Sequence, residues 1–378
     1  MKIQIHRQIK EIPAPQWNIL VKGNNPFLKH EFLNALELHE CVGQESGWVP
    51  CHIAIFEDDV LKAAMPMYQK YNSQGEFVFD HGWAEAYHRN GVHYYPKLVS
   101  AVPYTPTLGQ RLLCKPEDEE QMFPILLQAA ISVAKEVNAG SIHLLFSTEP
   151  QHSFLEDTGL LIRHDCQYHW HNDHYTDFDD FLSRLSSRKR KNIKQERRKV
   201  NNAGITFRLL DGYTATEQDW QVFNDFYSRT FHEKWNTPKF NLEFFVDVAK
   251  QLPDQTFLVL ADHEDQCVAG ALMYRSDTHL YGRHWGCSHN FDSLHFEACY
   301  YQGIEYCIRE KLAIFEPGAQ GQHKISRGFI PTRTLSAHWI EDPRFEQAID
   351  QFCKEERQAM KHHIAELEKT VPYRKDLP

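Results

Sequence analysis

Residues 184–199 hold nine Lys or Arg in sixteen positions and a single acid, Glu196. The chain carries a formal net charge of −10, so this segment reverses the local sign. Cations at that density can dock phosphates, because Arg offers bidentate hydrogen bonds and Lys a point charge. Arg188, Lys189 and Lys191 are the candidates for that contact. A solvated charged face is the competing reading, as it is for basic runs in general. A second polar group, Gln320, His323, Lys324, Ser326 and Arg327, follows Gly318 and can close a diphosphate clamp with the first. A third, Asp80, His81, Trp83, Tyr94, Tyr95 and Lys97, would give an aromatic-walled cleft for a peptide or sugar, unless its rings simply pack in the core.

Two residue types suit proton transfer. His284 carries an imidazole that titrates near neutrality and can accept a proton from an attacking amine. On a regular strand its neighbour Arg283 points to the opposite face. Glu316 ends an expected buried strand beside Gly318, where a carboxylate can orient or deprotonate an amine. A structural histidine and a salt-bridged carboxylate are the alternatives. His164, Cys166, His169, His171 and His174 lack a second pair at zinc spacing, so no metal is expected. No Gly-x-Ser-x-Gly occurs, and no cysteine stands out as a nucleophile.

Elements must hold these groups in place. At 378 residues and 42% hydrophobic composition the chain can bury two or three domain cores. Nine cysteines without a C-x-x-C pair point to reduced thiols and a cytoplasmic protein. The first residues show no apolar signal region, and no apolar run approaches the ~20 residues of a transmembrane segment. Oligomeric state is not written in the sequence.

Periodicity predicts helices over residues 27–38, 119–137, 177–185, 187–202, 217–232, 242–250, 294–311 and 345–367. It predicts strands over 48–56, 60–68, 77–81, 111–114, 141–146, 160–171, 205–210, 256–262, 267–274, 279–285, 313–316 and 335–340, with 82–106 irregular. The two halves repeat in element order. Residues 60–68 answer 267–274, and the helix from Glu119 answers that from Leu294. The expected fold is mixed α/β with a largely antiparallel sheet in each half. Expected bounds are 1–174 and 175–342, the second opening with the basic helix 184–202, then a helix in 343–378 packing back on the body.

That doubled order resembles the N-acetyltransferase (GNAT) superfamily and its tandem version, the Fem-type aminoacyltransferases. Arg188-Lys-Arg-Lys-Asn-Ile-Lys with Ala203-Gly-Ile205, Phe315-Glu-Pro-Gly318, and Lys324-Ile-Ser-Arg-Gly-Phe329 carry the likeness. Phe79-Asp-His-Gly-Trp83, Tyr94-Tyr-Pro-Lys97, Ser187-Arg-Lys-Arg-Lys191, Tyr281-Gly-Arg-His-Trp-Gly286 and Gly318-Ala-Gln-Gly-Gln-His-Lys324 are similar to a bacterial FemAB-like family, labelled for peptidoglycan biosynthesis or recognition. The resemblance spans nearly the whole chain. It implies two tandem GNAT-like domains and transfer of an acyl or aminoacyl group to an amine of a phosphate-bearing acceptor, such as a peptidoglycan precursor. Acyl-CoA or aminoacyl-tRNA would be the donor. Arg283, Gly286 and Ser288 stand where GNAT enzymes cradle a pyrophosphate, with Ser288 replacing the last small residue. Glu316 stands where Fem enzymes have an acid, with Pro317 in place of a glycine. A catalytically silent module that binds a cell-wall precursor or another polyanion is the rival reading.

Overall fold

The structure is a computed structural model that describes residues 1–374 except 234 and 320. The chain forms two compact units, Met1–Cys166 with Arg333–His363, and Gln167–Thr332 with the described residues from Ile364 onward. In chain order the first brings β1 (Lys2–His6), α1 (Ala14–Ile19), α2 (His30–Leu38), β2 (Trp48–Pro50), β3 (His52–Glu57), β4 (Val60–Met65), β5 (Tyr68–Lys70), α3 (His81–Arg89), β6 (Lys97–Ser100), β7 (Leu113–Cys114), α4 (Glu119–Glu136), β8 (Ser141–Leu144) and α5 (Glu149–Asp157). Then come β9 (Leu161–His171), α6 (Phe178–Arg184), α7 (Ser187–Asn202), β10 (Thr206–Leu210), α8 (Glu217–His232), α9 (Leu242–Gln251), β11 (Thr256–His263), β12 (Gln266–Arg275) and β13 (His279–Cys287). The segment α10 (Leu294–Phe296), a π-helical turn (Glu297–Tyr301) and α11 (Gln302–Arg309) leads to β14 (Ile314–Glu316), β15 (Ile330–Ile340) and α12 (Pro343–Glu368).

The fold is mixed α/β and doubled, as the element order predicts. Each unit contains an antiparallel hairpin turned by two acidic-type residues with positive φ: Asp58 and Asp59 in one, Glu264 and Asp265 in the other, at φ 48° and 61° in both. Positive φ at both central positions is the two-residue turn that matches strand twist. Each hairpin also slips register shortly before that turn, at Ile55/Phe56 and at Ala261/Asp262. Each unit has a parallel strand pair, β6 with β8 and β13 with β14. A helix precedes the later strand of each pair, α4 in the first unit and α10–α11 in the second. In the first unit Leu126, Ala130 and Val133 of α4 pack on Ile53, Ile55, Met65 and Ile142. The strands closing the two sequence halves are exchanged. Trp170 and His171 of β9 pair with Phe315 and Ile314 in the second unit, while Ala337–Ile340 of β15 pair with β8 in the first.

Two expectations need correction, and one helix was not foreseen. Residues 77–80 form no strand, and the stretch expected to be irregular contains α3 and β6. Trp83 and Tyr87, four apart, give α3 its buried side, a period that the density of His and Pro obscures. Helix α1 has one buried residue, Trp17, and so leaves no periodic signal. Among the described residues, no helix is long and apolar enough to cross a membrane.

Candidate functional site

In the second unit the site is built at a fault in the sheet. β13 pairs with β12 so that His284 faces Leu272 while Gly282 faces Met273, leaving Arg283 as an extra residue. Such a bulge suspends the alternation of side chains and re-aims them. The alternation that would set Arg283 and His284 on opposite faces is therefore interrupted at these two residues. The Tyr227 ring lies 5.0 Å from His284, and the same tyrosine is an electrostatic neighbour of Arg283.

His284 sits among Tyr227, Phe240 and Phe245, with the last two rings at 5.2 and 5.9 Å. Burial, then the Arg283 charge, holds its imidazole well below the usual range. It is neutral and a weak base. Burial likewise pushes Arg283 down to about 10, against the pull of Glu316 and two tyrosines. Glu316, 3% exposed, closes β14 opposite Tyr281. Burial and this carboxylate drive the Tyr281 phenol far above its ordinary value.

Lys324 completes the group. It is 3% exposed, and its Nζ donates to the carbonyl of Gly318 at 2.7 Å. Gly318 has φ 99°, a left-handed turn that glycine adopts freely. Burial, with a further push from Arg283, brings the Lys324 ammonium down to about 8. Buried titratable groups converging beside a strand irregularity mark a functional-site candidate.

Arg327, one cation of the expected diphosphate clamp, is already engaged by the chain itself. Arg327 turns inward, with Nη2 donating to Glu196 Oε1 at 2.7 Å and its guanidinium 3.4 Å over the Phe296 ring. Tyr301 also donates to Glu196. His323 accepts from or donates to the Tyr300 hydroxyl at 3.0 Å. Gln320 lies outside the described residues. Arg188 and Lys191 are exposed on α7, and Lys189 is half-buried. The sole acid of the basic run thus pins α7 inward on Arg327. Arg197, beside it, bonds Glu297 at 3.0 Å and Glu305 at 2.7 Å. None of these three partners of α7 is legible from spacing.

The turn after β13 is already occupied by its own chain. The Ser288 N–H donates to Val268 O at 2.8 Å, and the N–H groups of Leu294, Phe296 and Glu297 donate to Phe291 and Ser293 carbonyls. A diphosphate at these four N–H groups would have to displace backbone hydrogen bonds. Gly286 has another reason to be glycine: a Cβ there would meet Phe226 O of α8 at 2.2 Å. Gly286→Ala should therefore lower stability by roughly 1–3 kcal/mol in ligand-free protein. An unchanged denaturation midpoint would show that α8 yields easily.

In the first unit Asp80, Trp83, Tyr94 and Lys97 line no open cleft. They are buried, at 2%, 5%, 5% and 0% exposure, and only His81 faces solvent. Lys97 Nζ bonds Glu76 Oε2 at 2.8 Å and also contacts Asp80. The Tyr94 hydroxyl donates to Asp80 Oδ2 at 2.5 Å. His143 and His338 are hydrogen-bonded through Nδ1 atoms 2.7 Å apart. Burial holds His143 down at about 3, and His338 well below its usual value. A lysine inside the protein needs its charge satisfied, and Glu76 and Asp80 supply that. Glu76, His143 and His338 were not legible in the sequence, because the contacts join residues up to 195 apart. Among the described residues no cluster of three His, Cys, Asp or Glu can hold a metal.

A model of the FemAB-like family, described as peptidoglycan biosynthesis/recognition, matches residues 8–375. No curated protein matches the sequence. Among solved structures, FemX shares 12% identity at a TM-score of 0.56, over 93% of this chain and 100% of its own. The C-terminal domain of a protein assigned as a lysylphosphatidylglycerol synthetase of Agrobacterium fabrum shares 10% at 0.53, over 89% and 94%. A protein of unknown function from Bacteroides thetaiotaomicron shares 11% at 0.51, over 89% and 99%. At such identities the likeness is one of fold.

Proposed function

The chain belongs to the FemAB-like family, and from that premise we propose that it transfers an aminoacyl or acyl group to an amine of a phosphate-bearing cell-wall precursor. One observation carries this reading: half-buried Arg283 and the buried Glu316 and Lys324 lie around the β13 bulge in the second unit.

The chemistry follows from their types. The acceptor amine attacks the acyl carbonyl, a C–N bond forms, and the C=O electron pair moves to oxygen. The Lys324 ammonium, held at the Gly318 carbonyl, stabilises that oxyanion. Glu316 takes the proton from the amine and returns it to the leaving group as the tetrahedral carbon collapses. Glu316 takes this role rather than His284, whose imidazole is caged by three rings and weakened by burial. Arg188, Lys189 and Lys191 meet the acceptor phosphates, and the first-unit network sets the shape of that unit rather than touching substrate.

For the donor, the committed N–H groups after β13 favour an aminoacyl ester on RNA over acyl-CoA. An aminoacyl-tRNA 3′ end brings no diphosphate to that turn. Coenzyme A should therefore give no saturable thermal stabilisation, since only a ligand of the native state raises the midpoint. An aminoacyl-tRNA should support transfer to an amine-bearing precursor. Saturable stabilisation by coenzyme A would overturn the donor assignment. Precursor binding without transfer from either donor would make the chain a recognition module instead.

A further inference from the structure

The exposed side of α7 is unusual in its content. Arg188, Lys191, Lys194, Arg198 and Lys199 are all exposed, and the helix's one acid, Glu196, is turned inward on Arg327. Positions 188, 191, 194/195 and 198/199 follow one another at helical spacing, over about 16 Å of axis. Ser187, Arg190, Lys191, Lys194, Gln195 and Arg198 line a shallow depression of about 410 Å³ along it. Lys194 and Lys199 have surface carboxylate partners, Asp179 at 2.8 Å and Asp292 at 2.7 Å. Among the described residues Arg188, Lys191 and Arg198 make no ion pair. Nor does the helix gain from them. Arg188 and Lys189 sit in a first turn with no acid, against the positive end of the helix dipole.

We infer that this face of α7 lies on an anionic lipid surface. The inference rests on the reading that α7 meets acceptor phosphates, and it states where those phosphates are. A clamp for one diphosphate needs cations that converge from different elements. Side chains on one exposed helix face diverge, and they suit many headgroups spread over a plane. Charge complementarity is local, since the rest of a chain at net −10 is repelled by the same surface and so fixes the orientation. Nucleic acid fits less well. The lining has no aromatic side chain on which single-stranded bases could stack. A duplex of RNA has a major groove too deep and narrow to be read by a helix.

The test is co-sedimentation of the full chain with phosphatidylcholine vesicles, with and without phosphatidylglycerol. Binding should require phosphatidylglycerol and weaken with salt. The variant Arg188→Gln, Lys191→Gln, Arg198→Gln should lose on the order of a hundredfold in partitioning, at about fivefold per cation. These side chains are exposed, so the variant should keep the wild-type thermal midpoint. Glu316→Gln protein should bind vesicles as wild type does, which separates this inference from the catalytic reading. Three results would overturn it: equal binding to both vesicles, undiminished binding by the triple variant, or capture of UDP or duplex RNA through these residues with vesicles ignored. In the last case transfer to a soluble acceptor would still stand.

Discussion

Lys324→Met should cost about 10²–10³ in turnover and leave the protein at least as stable as wild type. The activity loss is that of removing one charged donor from a developing oxyanion. Stability moves the other way. Lys324 is 3% exposed, and burial lowers its ammonium to about 8. Methionine fills a similar volume without a charge to desolvate. Replacing a buried charge by a hydrophobe is often neutral or stabilising by about 1–4 kcal/mol. The lost hydrogen bond to Gly318 O returns about 1 kcal/mol of that.

The pH dependence separates this account from a purely structural lysine. An amine whose folded value is depressed from 10.5 to about 8 penalises the fold below pH 8. In that range the native state must carry a buried charge. Between about 8 and 10.5 the unfolded chain binds the proton and the native one does not. Wild-type stability should gain from this group by about 3 kcal/mol across that window, and Lys324→Met should lack the gain. Turnover of wild type should fall as pH passes about 8, because the donor ammonium is lost. Denaturant midpoints and initial rates over pH 6–10 measure both. Turnover unchanged in Lys324→Met would remove Lys324 from the mechanism and leave the base and the bulge to explain transfer.

Lys97→Met should be the most damaging single change in the first unit, at about 3–5 kcal/mol. Lys97 is fully buried between Glu76 and Asp80, and its Nζ also reaches Ser73 Oγ at 3.2 Å. Without it two buried carboxylates face each other, with Lys70 Nζ 4.0 Å from Glu76. A loss of that size is a large share of the 5–15 kcal/mol that domains usually have. Already in the wild type burial raises Glu76 to about 7. A carboxyl raised above its unfolded value stabilises fully below that unfolded value, and the contribution is lost as pH rises through the folded one. Removing the cation should exaggerate this, so Lys97→Met should sit nearer to wild type at pH 5 than at pH 8. Adding Glu76→Gln should recover part of the loss, because one of the uncompensated charges is gone. A denaturation midpoint within about 0.5 kcal/mol of wild type at pH 8 would mean that water reaches the network.

The sequence by itself determined the doubled element order, the mixed α/β class and the type of chemistry available. Helix and strand periods are local, so the limits of α8 and the extents of α7, β11 and β12 follow from a few neighbouring residues. The residue types also pointed to a basic helix and to the buried acid Glu316. What only the tertiary structure decided is which charges are used and which are free. Glu196 and Arg327 are 131 residues apart and hold each other, so one cation of the clamp suggested by charge alone is already paired. Arg283 is an extra residue beside His284 because the sheet slips by one residue, a fault in pairing that no side-chain period records. The polar cluster at Asp80 and Lys97 reads as a cleft in sequence but is buried in the fold, because Glu76 neutralises it from the chain just upstream. Composition supplies the charges, while burial and distance, set by the whole fold, decide whether each is buried inside the protein or exposed at its surface.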